Sequence, residues 1–443
     1  MEEVTEKLQV TGRGFSLIHG KRLSSKIKEK YMKQSRREFI NSISLVAATP
    51  LLFPKEAAAA VPTDFWDKLR KEFPLKNSRV YLNNGTFGPS PNAVLETITN
   101  SLTTINTSGE YGHTDHARET LANFVGAKVS EISLTHNTTE GINTVCWGLP
   151  LKKGDEVIIS LHEHVGNALP WLNRAKLDGI VLRPFQPAAT AEENFALIKG
   201  LVTPKTKVIG IPHITCTTGL VFPIKEISEM ARAKGIFTAI DGAHGSGTFD
   251  LDMKDLGCDF YATSCHKWML GPNGSGFLYI REDQLNTLQA IQVGAYSDTG
   301  WDMFSNPPEI KGYNPTAHRF DYGSQSKPLY EGAAASADFH SKIGKAKVET
   351  RVRELNNHLF GGLSEMKKHL IILTPEEEQS RICMVTFKPL NYEYKTFANI
   401  ISKAGFRIRQ VPESGLDAIR ISTHIYNSTN EIDSFLRTVE SNL

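Results

Sequence analysis

Cysteine is scarce and scattered in this sequence. The five cysteines, Cys146, Cys216, Cys258, Cys265 and Cys383, include no pair at CxxC spacing. An odd count without paired spacing argues against a disulfide framework, and scattered thiols suit packing better than metal binding or cross-linking. An excess of one charge is also missing. The chain has 50 Lys and Arg against 48 Asp and Glu, a formal net charge of +2. Nothing therefore points to nucleic acid or to an acidic membrane surface. There is no internal repeat, and no low-complexity segment after residue 60. The apolar run at residues 43–53 is too short and too interrupted to span a bilayer comfortably. What is present is ordinary for a soluble globular enzyme, with 40% hydrophobic and 22% charged residues. At 443 residues the chain is too long for one compact core and suits about two domains behind a leader.

Residues 1–60 read as an N-terminal extension carrying a signal in residues 32–60. Ser35-Arg36-Arg37-Glu38-Phe39-Ile40 is a twin-arginine pattern, residues 43–53 form an apolar run, and Ala57 to Ala60 offer small residues for cleavage. The alternative is an amphipathic helix with an accidental Arg-Arg pair. The twin-arginine route exports proteins already folded, often with a cofactor inside. It implies a periplasmic or exported protein, or a cytoplasmic one if the signal is not used. Met32 lies just ahead of the Arg pair and would give a normal short n-region, which makes it an alternative start to Met1.

Behind the leader, residues 61–325 read as a large domain. Short apolar runs at 156–160, 208–211, 237–240, 260–263 and 276–280 alternate with helical patterns such as 117–125 and 224–234. That texture predicts an α/β fold with a mostly parallel central sheet covered by helices on both faces. Residues 326–443 predict a smaller C-terminal α+β domain. It opens with a long helical stretch over 330–359, followed by strands at 382–387 and 418–422 around a helix near 394–404.

Chemistry concentrates at predicted strand ends. Ser264-Cys265-His266-Lys267 follows a buried strand and precedes a glycine-rich turn. A lysine there can shed its charge and attack an aldehyde, while the hydroxyl and the imidazole hold a phosphate oxygen. The same tetrapeptide is also common without function. Asp241-Gly242-Ala243-His244 ends another strand. A carboxylate beside a pyridine nitrogen would keep pyridoxal 5'-phosphate (PLP) protonated as an electron sink, and His244 would touch the ring or its phenolic oxygen. Asp before Gly is equally a turn or cap residue. Thr138-Thr139-Glu140 opens a predicted helix and offers donors to a phosphate, or is an ordinary capping box. His162-Glu163-His164 follows a strand as well. A histidine there stacks on a ring, and a metal site lacks a third ligand.

Taken in order, these elements resemble the class V aminotransferase family of fold-type I PLP enzymes, in its isopenicillin N epimerase-like branch, related to the cysteine desulfurases. The resemblance runs from about Tyr81. It includes Tyr81 to Pro89, the Thr-Thr-Glu-Gly-Ile-Asn stretch, Glu163-His164, Asp241 to His244, Ser264 to Lys267, Arg319-Phe320 with Gly323-Ser324, and Ile419-Arg420-Ile421-Ser422. It implies that Lys267 is the Schiff-base lysine and proton carrier, that His164 stacks on the ring and that Asp241 pairs with the pyridine nitrogen. His244 would sit by the phenolic oxygen. Thr138, Thr139, Ser264 and His266 would hold the phosphate, and Ser324 would reach it from a second subunit, implying a homodimer. Arg420, with Asn84 and Gly85, would bind the substrate, Arg420 gripping its carboxylate. Without the resemblance, Arg420 could equally be a surface arginine.

Two departures matter. Desulfurases carry a nucleophilic cysteine just before the segment matching 418–422, whereas Gln410 to Asp417 contains none. Many relatives also place an asparagine where Cys216 stands, and the epimerase-like branch keeps Thr-Gly, as at Thr218-Gly219. The expected function is a PLP enzyme acting at the α-carbon of an amino acid or amino-acid derivative, with a carbon–sulfur β-elimination lyase as the alternative. A cysteine desulfurase or a non-catalytic PLP-fold binding protein ranks lower, and a hydrolase using Ser264 and His266 lacks a nucleophile elbow.

Overall fold

The structure is a computed structural model that describes residues 63–76 and 78–443. The twin-arginine segment and the rest of the expected leader lie outside the described residues. In chain order the strands are β1 (Val80–Tyr81), β2 (Ile132–Thr135), β3 (Glu156–Ser160), β4 (Val181–Phe185), β5 (Thr206–Pro212), β6 (Phe237–Asp241), β7 (Phe260–Ser264), β8 (Gly276–Ile280), β9 (Asp298–Asp302), β10 (Glu309–Tyr313), β11 (Leu370–Ile372), β12 (Met384–Pro389), β13 (Phe406–Arg407), β14 (Arg409–Val411) and β15 (Ala418–Ser422).

Seven strands form the larger sheet in the order β2-β8-β7-β6-β5-β3-β4. Strands β4, β3, β5, β6 and β7 run parallel, and β8 is antiparallel to both of its neighbours. The continuous apolar runs conceal a period of two. Ile158, Ile209 and Ile240 enter one core with Leu134 and Tyr261, while Val157, Ile159, Val208 and Ala239 enter another with Phe260 and Leu278. Both faces are therefore buried, which is why these strands do not read as alternating.

Helix Thr138–Gly148 begins three residues after β2 and packs on β7. Gly141 permits the approach, since a Cβ there would lie 2.7 Å from Ala262 Cβ. The helix is capped by Asn137, whose side chain accepts from Glu140 N. The residue before the predicted box thus does the capping, which leaves both threonine hydroxyls for other work.

The smaller sheet is antiparallel, in the order β11-β12-β15-β14, and β1 pairs in parallel with β13 through Val80 and Phe406. Leu82 joins its core with Val385, Phe397, Ile419 and Phe435. The helix expected over 330–359 is two helices, Lys327–Ile343 and Lys345–Ser364, broken at Gly344 with φ 97°. Tyr330, Ala333 and Ala337 pack into the larger sheet's core, while Leu355, Leu359 and Leu363 pack into the smaller one. The change of core falls at this break, whereas the sequence texture already changes near Ser326.

One buried ion pair ties the β2 edge together. Asp321 accepts from Arg118 Nη2 at 2.6 Å, from Ser133 Oγ at 2.7 Å and from Leu134 N at 3.0 Å. Arg118 Nη1 donates to Ile132 O at 2.9 Å, and both side chains are buried. Removing one partner strands a buried charge. Asp321→Ala should therefore lose about 3–5 kcal/mol, seen as a lower urea midpoint at unchanged slope. A loss below about 1 kcal/mol would show that this pair behaves like a surface one.

Candidate active site

The residues singled out in the sequence converge at the carboxyl ends of the parallel strands, where such sheets place ligands. Asp241 ends β6, Ser264 ends β7, and His164 caps helix Val165–Asp178 just beyond β3. Lys267 sits in the turn after β7, partly buried, with Nζ 3.4 Å from His244 Nε2. Burial pushes the Lys267 ammonium below its usual range; the Asp241 charge opposes this, and Arg420 and Arg409 add to it. The amine is thus biased toward the neutral form that attacks a carbonyl.

Asp241 Oδ1 accepts from Ala243 N at 2.9 Å, so the carboxylate does make the turn contact that its sequence context suggested. Its Oδ2 takes no hydrogen bond from the described residues and remains available. Glu163 lies close enough to feel that charge. Burial, reinforced by Asp241, holds the Glu163 carboxyl well above its usual range; Asn167 Nδ2 donates to its Oε2 at 2.8 Å, and Oε1 is buried without a partner. His164 stays exposed at the site, accepting from Gly166 N at its Nδ1. Partial burial and then Lys267 lower its basicity. His162 diverges from it, binding Thr217 Oγ1 and Gln186 Nε2, so the two histidines do not converge on a metal.

Ser264 Oγ accepts from Thr138 N at 2.9 Å and shares a hydrogen bond of 2.8 Å with Thr138 Oγ1. Thr139 is exposed beside them, next to Gly166. His266 Nδ1 is buried with no partner, and burial followed by Lys267 lowers its pKa to about 4. A hydroxyl pair at a helix N-terminus, an unsatisfied imidazole nitrogen and a free carboxylate oxygen fit the phosphate and the pyridine nitrogen of PLP. Ser324 is exposed, and no hydrogen bond joins it to this cradle among the described residues.

Arg420 comes from the middle of β15 and is buried. Nη1 donates to Cys216 O at 2.6 Å and Nη2 to Thr86 Oγ1 at 3.2 Å, while Nε has no partner. Burial and then Arg409 lower its pKa to about 9. Gly85 lies against this guanidinium and donates its N–H to Ser422 Oγ. Asn84 is occupied differently, with Nδ2 3.5 Å from Lys267 O and Oδ1 accepting from Tyr426 Oη at 3.0 Å. It braces the lysine's backbone.

Sequence reasoning missed Arg409 and Glu413. Arg409 stands directly opposite Arg420 in the β14–β15 register, and Glu413 pairs with it. The signal was available: two arginines on either side of a reversal place like charges side by side and call for a neutralising acid. Ser414 Oγ donates to Leu161 O at 3.0 Å. All five cysteines are buried. Burial drives the thiols of Cys146 and Cys265 up to about 12 and raises those of Cys216, Cys258 and Cys383.

The sequence model of the family Aminotransferase class-V matches residues 80–435. The chain is 29% identical over 395 residues to the isopenicillin N epimerase of Streptomyces clavuligerus, covering 83% of this chain and 96% of that protein. It is 28% identical over 413 residues to a probable cysteine desulfurase of Xylella fastidiosa, covering 86% and 96%. Among solved structures it is similar to the cystine C–S lyase C-DES in complex with cysteine persulfide, with a TM-score of 0.75 at 26% identity, covering 82% of this chain and 98% of that one. A C-DES variant in that fold holds glycine covalently linked to its PLP cofactor.

A thiol that is buried and held protonated is a poor nucleophile. The native protein should show no fast-reacting thiol with a disulfide reagent near neutral pH, and five after unfolding in urea. A rapid stoichiometric thiol in the native state would contradict the burial of these residues.

Proposed function

The chain belongs to the Aminotransferase class-V family, and from that premise we propose that it uses PLP to break a bond at the α-carbon of an amino acid or amino-acid derivative, passing no sulfur to a cysteine of its own. The observation that carries this reading is the partly buried Lys267 amine, which feels the Asp241 charge and follows Ser264 of the Ser264–Thr138 hydroxyl pair by three residues. PLP, when bound, supplies an electron sink for charge developing at Cα. Lys267 Nζ holds the cofactor and moves the Cα proton. Asp241 Oδ2 keeps a proton on the pyridine nitrogen. His164, exposed at the site, would cover one face of the ring. Thr138, Thr139, Ser264 and His266 hold the phosphate, and Arg420 takes the substrate carboxylate on its planar fork.

The same residues serve epimerisation and transamination, which differ in where the proton returns. A second reading, β-elimination with loss of a sulfur group, is supported by the likeness to a cystine C–S lyase. In both readings a persulfide relay lacks its acceptor. Relatives place their cysteine where Glu413 is paired with Arg409 and Ser414 with Leu161 O.

Ser324 is accessible for a second copy to bring to the phosphate, and we extend the proposal to a homodimer on that basis. The twin-arginine pattern at Arg36 and Arg37 supports export of the folded protein, or cytoplasmic residence if the signal goes unused.

Three experiments test this. Borohydride should fix PLP onto the peptide containing Lys267. Cα-hydrogen exchange in deuterium oxide, screened over L- and D-amino acids, should fall about 100- to 10,000-fold in Lys267→Ala. A label on another lysine would sink the assignment. Replacing Arg36 and Arg37 by lysine should retain the protein in the cytoplasm, and unchanged export would make the pair incidental.

A further inference from the structure

Among the described residues, the side chain within hydrogen-bond range of Lys267 Nζ is His244, with Nε2 at 3.4 Å. The other ring nitrogen, Nδ1, lies 2.9 Å from Trp268 Nε1. An indole N–H only donates, so His244 Nδ1 must accept. A neutral imidazole that accepts at Nδ1 carries its proton on Nε2. His244 is buried, and burial, Lys267, Arg420, His164 and Arg409 all act to keep it uncharged. The ring therefore turns an N–H toward Lys267.

Trp268 is itself held. His424 accepts Ile425 N at Nδ1, which leaves its Nε2–H to donate to Trp268 O at 2.9 Å. The His424 ring stacks on the indole, with centroids 5.5 Å apart and planes 25° apart. The indole is buried and cannot swing away. The order is thus His424 to Trp268, Trp268 to His244, and His244 to Lys267.

We propose that Trp268 is a positioning residue that locks His244 in its Nε2–H tautomer, so that His244 donates toward Lys267 Nζ and favours the uncharged amine. An ammonium facing a fixed N–H donor has no acceptor in that direction, whereas a neutral amine offers its lone pair. Removing the indole N–H frees Nδ1. His244 can then carry its proton on Nδ1 and turn a bare Nε2 toward an ammonium, restoring the charge on Lys267. The inference rests on the reading of Lys267 as the cofactor lysine. The other groups acting on that amine are Asp241, Cys216, Arg420 and Arg409, and among the described residues the indole N–H donates to His244 rather than to any of them.

The test uses the cofactor-free full protein and Trp268→Phe, which keeps an aromatic ring and loses the N–H. Long-range nitrogen–proton correlation on histidine-labelled protein, with His244 assigned by its loss in His244→Gln, reads the tautomer directly. The wild type should show Nε2–H, and Trp268→Phe a mixed or Nδ1–H pattern. In parallel, the pH midpoint for reductive labelling of Lys267 with PLP should rise by about one unit in Trp268→Phe. That is a tenfold loss of neutral amine below the midpoint. An Nδ1–H signal in the wild type overturns the proposal even if the variant fails to fold. An unchanged tautomer and midpoint in a folded variant overturn it as well. Absence of any label on Lys267 in the wild type would instead count against the cofactor reading.

Discussion

Lys267 ends in a place where the cost of desolvating an ammonium competes with attraction to the Asp241 carboxylate. Desolvation acts on the charged form alone. The residues packed nearby mostly press the same way, because Arg420 and Arg409 add positive charge and His244 offers a donor. The Asp241 carboxylate opposes them, and its Oδ2 takes no hydrogen bond from the described residues while Oδ1 accepts from Ala243 N. Much of the architecture serves to hold these groups at fixed distances. Asp241 at the end of β6 pairs with Ala262, two residues before Ser264 ends β7, so both arrive at the same edge from adjacent parallel strands.

The smaller sheet contributes as much as the larger one. It carries Arg420 and Arg409 on neighbouring strands, and it grips the loop at residues 215–219 through Thr386 and Thr374, whose hydroxyls donate to Thr217 O and Thr218 O. Cys216 O, in that same loop, accepts from Arg420. The guanidinium is therefore oriented by backbone from the other sheet, and it keeps Nε unpartnered. Asn84 adds a third link by reaching Lys267 O from a segment bonded to the smaller sheet through Asn83 and Ser422.

The strand ends were legible because a buried parallel strand leaves an uninterrupted apolar run that stops where chemistry begins. Asp241, Ser264 and Lys267 stand just past such stops. The roles came from the resemblance, and the structure brings Asp241, Ser264, Lys267 and His164 to the same ends of the strands while leaving Ser324 apart from the cradle. Other features were hidden for physical reasons. Asn137 displaced Thr138 as the cap because its backbone is extended while its side chain still reaches Glu140 N. The break at Gly344 was masked by alanines and charges that suit a helix on either side. The antiparallel β9–β10 pair, through Asp298 and Tyr313, lies on the surface and shows no apolar period. The pairing of Trp268 with His244 depends on a turn whose shape no local pattern encodes.

The pairing of β1 with β13 has a consequence for how the molecule is made. Val80 meets Phe406, and Asn83 meets Ser422. Translation delivers the early residues long before the late ones, and contacts so distant along the chain close slowly. The smaller sheet is unfinished until β15 has left the ribosome. The brace on the lysine's carbonyl and the seat of Arg420 can then assemble only after every strand of the larger sheet has been made.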